Sequence, residues 1–155
     1  MLFDSSAFVA EPDLIQALLK RAFSVDCRND GELFHQGGDP TGLYILQSGE
    51  ATMILENARG VQVATVAMVP GALLGLPALV ADEPYSMTAV AKAGAQVAFV
   101  TRNTLSVLML SEPLLALKIL RVLASEVRSA RGAISKRRFS PSRKSAEAET
   151  FDAGD

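Results

Sequence analysis

LFHQGGDPTGLYILQSGEATMIL, residues Leu33 to Leu55, decides the fold. Three short apolar runs, Leu33-Phe34-His35, Leu43 to Leu46 and Ala51 to Leu55, are separated by Gly37-Gly38-Asp39-Pro40 and by Ser48-Gly49. Runs this short cannot be helices, and glycine, proline and aspartate between them supply turn conformations. The same rhythm continues outward. Val61 to Val69, Thr88 to Ala93 and Val97 to Thr101 read as further strands. Arg59-Gly60, Pro70-Gly71 and Asp82-Glu83-Pro84 stand between them. Short strands with a turn every 8–12 residues or so predict a β-sandwich or β-roll. Strand and helix blocks do not alternate as a dinucleotide-binding fold requires.

Helices flank this region on both sides. Glu11-Pro12-Asp13 opens the first: proline fits the first turn, and acids suit the positive end of the helix dipole. Leu14, Ile15, Leu18 and Leu19 then recur on one face, and Phe23 is expected to end it. Beyond the strands, Leu105 to Leu110 predicts a short helical turn. Ser111-Glu112-Pro113 caps a longer helix spanning about 112–134. Two apolar stripes run along that helix. Leu115, Ile119 and Val122 are expected to pack on the roll. Ala116, Leu120, Leu123, Val127, Ala130 and Ile134 recur at steps of four and three, a heptad seam. The seam predicts a second copy across a two-fold axis.

Composition narrows the function. With 155 residues, 49% of them apolar and 21% charged, the chain has room for one core of its own. A single cysteine, Cys27, excludes an internal disulfide and a cysteine-ligated cluster, and a single histidine, His35, excludes a histidine-based zinc enzyme. No metal site is expected. A net charge of −2 is not that of a basic nucleic-acid binder. No apolar run approaches the ~20 residues of a membrane-spanning helix, and Met1 to Ala10 carries no signal-peptide pattern. A cytoplasmic location with no membrane partner is expected. No nucleophile–base pair or carboxylate pair stands near a plausible cleft, so the chain is not read as an enzyme. Residues 135–155 hold Lys136, Arg137, Arg138, Arg143 and Lys144 among Ser, Pro and Ala, and read as a disordered tail after a domain of residues 1–134.

These features together resemble the cyclic-nucleotide-binding domain, and most nearly the effector domains of catabolite-activator (Crp/Fnr-type) regulators. Gly31 to Pro40 is similar to that domain's early strand and turn. Leu43 to Glu50 is similar to its Tyr-Ile-x-x-x-Gly strand, and Val69 to Gly75 to the run into its phosphate-binding cassette. The resemblance covers about residues 10–131. It implies a mainly β protein with flanking helices, a β-roll of the double-stranded β-helix or jelly-roll type, and a long C-terminal helix. It also implies a ligand site at Leu74, Gly75, Leu76, Pro77, Ala78, Tyr85, Ser86, Met87 and Thr88.

In that family a glutamate after the cassette glycine binds the ribose, and an arginine further on neutralises the cyclic phosphate. Here Leu76 and Tyr85 hold those positions. Losing one partner of a desolvated ion pair costs ~3–5 kcal/mol, two to three decades of affinity. Weak or absent binding of cyclic AMP is therefore expected, and no cofactor is assigned. Lys92 and Arg102 are the candidate replacement cations. Haem-binding relatives ligate iron through His or Cys, but His35 and Cys27 are read as packing or hydrogen-bonding groups. The family's winged helix-turn-helix finds no counterpart after Arg131, so sequence-specific DNA binding is not expected. The function expected is that of a stand-alone sensor of an unknown small molecule that signals through a helical homodimer. The alternative is a protein-interaction or dimerisation module, without a ligand, docking on a regulatory protein.

Overall fold

The computed structural model describes residues 4–138, and side chains as far as Gly132. A 3-10 turn, Ser5–Phe8, precedes α1 (Pro12–Leu19). Eight strands then follow: β1 (Phe23–Val25), β2 (Gly31–Phe34), β3 (Gly42–Ser48), β4 (Ala51–Glu56), β5 (Gln62–Met68), β6 (Leu73–Leu74), β7 (Thr88–Ala91) and β8 (Gln96–Thr101). Helix α2 (Leu76–Ala81) lies between β6 and β7. Helices α3 (Arg102–Ser111) and α4 (Pro113–Arg138) close the order.

The strands form two antiparallel four-stranded sheets, in the orders β1-β8-β3-β6 and β2-β7-β4-β5. Consecutive strands repeatedly cross from one sheet to the other, as in a rolled double sheet. The expected mainly β roll with flanking helices is the observed fold.

Strand β3 shows why its sequence is apolar without a break. Side chains alternate between faces along a strand. Tyr44 and Leu46 face the core between the two sheets, with Phe34, Met53, Leu74 and Val97. Leu43 and Ile45 face the opposite way, into a second core. There they meet Leu14 and Leu18 of α1, Leu105 and Leu108 of α3, and Ile119 and Val122 of α4. The stripe of Leu115, Ile119 and Val122 thus packs on the roll, with Ile119 fully buried and Leu115 partly so. Lys118 fastens α4 to α1 through Glu11 (3.3 Å) and Asp13.

Three local expectations are corrected, at Phe23, at Leu105 to Leu110 and at the end of α4, and one strand was not foreseen. Phe23 does not end α1. The helix stops at Leu19, and Phe23 opens β1, paired with Phe99 of β8. Leu73 and Leu74 form a strand of their own, held to Tyr44 and Ile45. The turn expected at Leu105 to Leu110 is a full helix from Arg102, capped by Thr101 Oγ1, which accepts from Thr104 N at 3.1 Å. Helix α4 is continuous to Arg138, past the boundary expected near 134. Of the tail expected over residues 135–155, residues 135–138 continue α4, and residues 139–155 lie outside the described residues.

Candidate functional site

Gly75 begins the site. It ends β6 and N-caps α2 with a φ of 94°, a left-handed conformation that side chains other than glycine rarely hold. A methyl group there would also lie 2.8 Å from Cε1 of Tyr85. Glycine therefore serves twice, as a turn and as the floor under an aromatic ring. Pro77 falls in the first turn of α2, where its missing N–H costs nothing.

Tyr85 stands where the resemblance places a phosphate-binding arginine, and it is buried. Its ring stacks on Phe34. Its hydroxyl accepts from the N–H of Thr41 (3.1 Å) and of Gly42 (3.2 Å) and donates to the carbonyl of Gly42 (2.7 Å). Its backbone pairs with the glycine turn: Gly37 N–H donates to the Tyr85 carbonyl, and Tyr85 N–H donates to the Gly38 carbonyl. The side chain thus satisfies itself within the protein and presents only ring carbon to the space beside it. Tyr44 joins the aromatic group, 5.7 Å from Phe34 and 4.8 Å from Phe99. Burial, then the neighbouring Tyr85, pushes the Tyr44 phenol above its ordinary value.

Between α2, the roll and α4 lies a cavity of about 280 Å³. Six of the expected ligand-site residues line it: Gly75, Pro77, Ala78, Tyr85, Ser86 and Met87. Three do not line it. Leu74 is buried in the inter-sheet core, and Leu76 faces the opposite core with Leu43 and Ile119. Thr88 Oγ1 is bound by the Gln36 N–H at 2.9 Å. Lys92 and Arg102 are exposed and do not line the cavity, and Arg102 pairs with Asp82. Among the described residues, no Lys or Arg lines the cavity.

Seven lining residues were not foreseen as ligand-site residues: Phe8, Phe34, Met53, Leu55, Glu126 and, read instead as seam, Val127 and Ala130. Phe34, Met53 and Leu55 are reachable from strand alternation, since Met53 and Leu55 share a face. Glu126 carried a plainer signal. It lies four residues beyond Val122 and four before Ala130, an acid inside an apolar helical stripe. Its Oε2 is shielded from solvent and has no hydrogen-bond partner among the described residues. Burial disfavours the charged form, and the carboxyl is pushed up to about 8.

The residues of the expected seam divide. Val127 and Ala130 line the cavity, and Leu123 packs against the helix-side core. Leu120 and Val127 remain 46% and 44% exposed, next to the exposed Leu117. Ala116 is half-buried, and the side chain of Ile134 lies outside the described residues. Two residues considered for metal binding stay apart from the cavity. His35 is exposed and meets Glu32 at 3.1 Å, whereas Cys27 is buried, with its thiol pushed up by burial and then by Asp26.

Several solved structures share this arrangement. One is the Thermus thermophilus catabolite activator protein, 23% identical, TM-score 0.72, aligned over 83% of this chain and 61% of that one. Another is the N-terminal domain of a transcriptional regulator from Streptomyces coelicolor, 21% identical, TM-score 0.59, over 80% and 87%. A third is a cyclic nucleotide-binding-like protein from Brucella abortus, 29% identical, TM-score 0.50, over 64% and 84%. The chain spans about three fifths of the length of the first of these. No curated protein matches it. Among the described residues no helix is long and apolar enough to cross a membrane. The family model for the cyclic nucleotide-binding domain matches residues 25–112, which include the two sheets from β2 onward, the cassette glycine and α3. With that match over more than half its length, on a roll and cassette of this form, the chain belongs to the cyclic nucleotide-binding domain family.

Proposed function

We propose that this is a regulatory sensor domain, not an enzyme, whose cavity takes a small molecule other than a cyclic nucleotide. Tyr85 carries the reading. A cyclic phosphate needs a cationic or N–H-rich cradle, because a desolvated anion without a partner is costly. The arginine's position holds a ring whose only polar atom is turned onto Thr41 and Gly42. Glu126, the one carboxyl on the wall, offers an anion no attraction.

The signal would leave through α4. Val127 and Ala130 line the cavity, and Leu117, Leu120 and Val127 are exposed on the same helix. Occupancy of the cavity and apposition of a second copy are therefore linked through a few residues. A ligand shifts a helix arrangement only if it binds one arrangement better than the other.

A second reading has its own support. The stacked Tyr85 and Phe34 rings already fill the phosphate end of the cassette, as they would in a domain kept for docking on a regulatory protein. A thermal-shift screen of nucleotides and small apolar molecules separates the two. A ligand-dependent rise following RT ln(1 + [L]/Kd) is expected for the sensor. Silence across the screen, with a regulatory protein captured by the dimer, would favour the docking module.

A further inference from the structure

Among the described residues lining the cavity, one buried side-chain polar atom has no hydrogen-bond partner, Oε2 of Glu126, while the hydroxyl of Ser86 lies at an exposed position. The wall also carries Phe34, Tyr85, Met53 and Met87. Tyr85 gives the cavity no hydroxyl, since that group is held by Thr41 and Gly42. We propose that Glu126 is the polar anchor of this cavity, its carboxyl hydrogen-bonding the single carbonyl or hydroxyl oxygen of an otherwise apolar small molecule. This rests on the reading of the cavity as a ligand site and goes further by naming the ligand's chemistry and the group that recognises it.

Three observations set the chemistry. The volume, about 280 Å³, is at the lower end of small-molecule sites, so the ligand is small. Apart from Ser86 the rest of the described wall is almost wholly apolar, so an additional polar group turned toward it would find few partners. Burial keeps the carboxyl uncharged at neutral pH, and an uncharged acid has one O–H to donate. An anionic ligand would find no cation among the described residues of this wall. A cationic one would require Glu126 to ionise among apolar neighbours. A neutral oxygen acceptor meets neither difficulty. Glu126 lies on α4, and Phe34, Met53 and Tyr85 belong to the roll, so a ligand held this way bridges helix and roll.

The test uses the full chain with isotope-labelled methionine methyl groups, because Met53 and Met87 report occupancy from inside the cavity. Three probes share one phenylalkyl body: benzylacetone (neutral ketone), phenylpropylamine (cation) and hydrocinnamate (anion). Benzylacetone is expected to shift both methyl signals, with the two charged probes at least about tenfold weaker. Glu126→Gln retains an N–H donor and is expected to keep ketone binding within a few-fold. Glu126→Leu is expected to weaken it by about tenfold or more. Equal ketone binding by wild type and Glu126→Leu would overturn the role of Glu126 and leave the ligand-site reading standing. Tightest binding by the amine would overturn the neutral-acceptor assignment in favour of an ion pair. If none of the three probes moves Met53 or Met87, both the anchor and the ligand-site reading fail.

Discussion

The rings of Tyr85 and Phe34 stack with centroids 3.9 Å apart and planes 16° from parallel. One ring comes from the segment after α2 and the other from the end of β2, 51 positions earlier in the chain. Their contact makes an apolar surface where the resemblance places a phosphate site. It also joins the glycine turn at 37–38 to the cassette, because the backbone of Tyr85 is bonded to Gly37 and Gly38.

Tyr85→Phe keeps the stack and removes the hydroxyl. The N–H groups of Thr41 and Gly42 and the carbonyl of Gly42 then lose a partner. A loss of about 2–3 kcal/mol in unfolding free energy is expected from urea denaturation, since unsatisfied buried groups cost more than a hydrogen bond gains. A change below about 0.5 kcal/mol would show that water replaces the hydroxyl.

Gly75→Ala combines a left-handed φ of 94° with a methyl 2.8 Å from the Tyr85 ring. The expected result is a loss of about 2 kcal/mol or more. It should be accompanied by a weaker near-ultraviolet circular-dichroism signal from displaced aromatic rings. Gly60→Ala also carries a positive φ but meets nothing within 4 Å, so it should show only the smaller conformational cost.

Glu126 makes stability depend on pH. Its carboxyl has an ordinary value of 4.5 and is pushed up to about 8 in the folded chain. Below about 4.5 both states hold the proton, and this stabilisation is complete. Between about 4.5 and 8 the unfolded chain releases the proton and the folded chain keeps it. Stability from this group therefore falls as pH rises, by up to about 1.4 kcal/mol per unit, and levels off above the folded value. The other ionisable group lining the cavity is Tyr85, whose hydroxyl is held by Thr41 and Gly42. Asp4, on the turn packed against α4, is held low by Ser6. Urea melts at pH 5.5, 7 and 8.5 should show the decline in wild type and a flatter profile in Glu126→Gln. Parallel profiles would place the slope elsewhere.

Helix α4 gives a prediction about assembly. Leu120 and Val127 are nearly half exposed and lie seven residues apart on one face. Leu120→Glu with Val127→Glu is expected to convert a dimer into a monomer in sedimentation equilibrium, with little change in the circular-dichroism spectrum. A wild-type chain that sediments as a monomer at tens of micromolar would contradict the seam.

The roll was legible because its strands are short and the turns from β2 onward carry glycine or proline. The run Leu43 to Leu46 is apolar throughout because β3 is buried on both faces, a pattern that marks a strand without revealing its neighbours. The strands β1 and β6 were not legible. Three residues and two residues are too few to show a period, and their pairing with β8 and β3 decides them. At the site, the departure at Tyr85 was visible in the sequence, but its stacking on Phe34 and its bonds to Thr41 and Gly42 depend on distant chain segments. Glu126 stood in an apolar stripe, yet one acid on a helix is ordinarily a solvated one. Only the fold shows that this acid faces a cavity.

Isothermal titration of cyclic AMP into the purified full chain tests the central claim most directly, because it asks whether the Tyr85 cassette still holds a cyclic phosphate. The expected result is no saturable heat at micromolar ligand. Saturable binding with a micromolar or tighter Kd would contradict it, for it would mean that a cyclic phosphate is held beside Gly75 without the arginine that Tyr85 replaces.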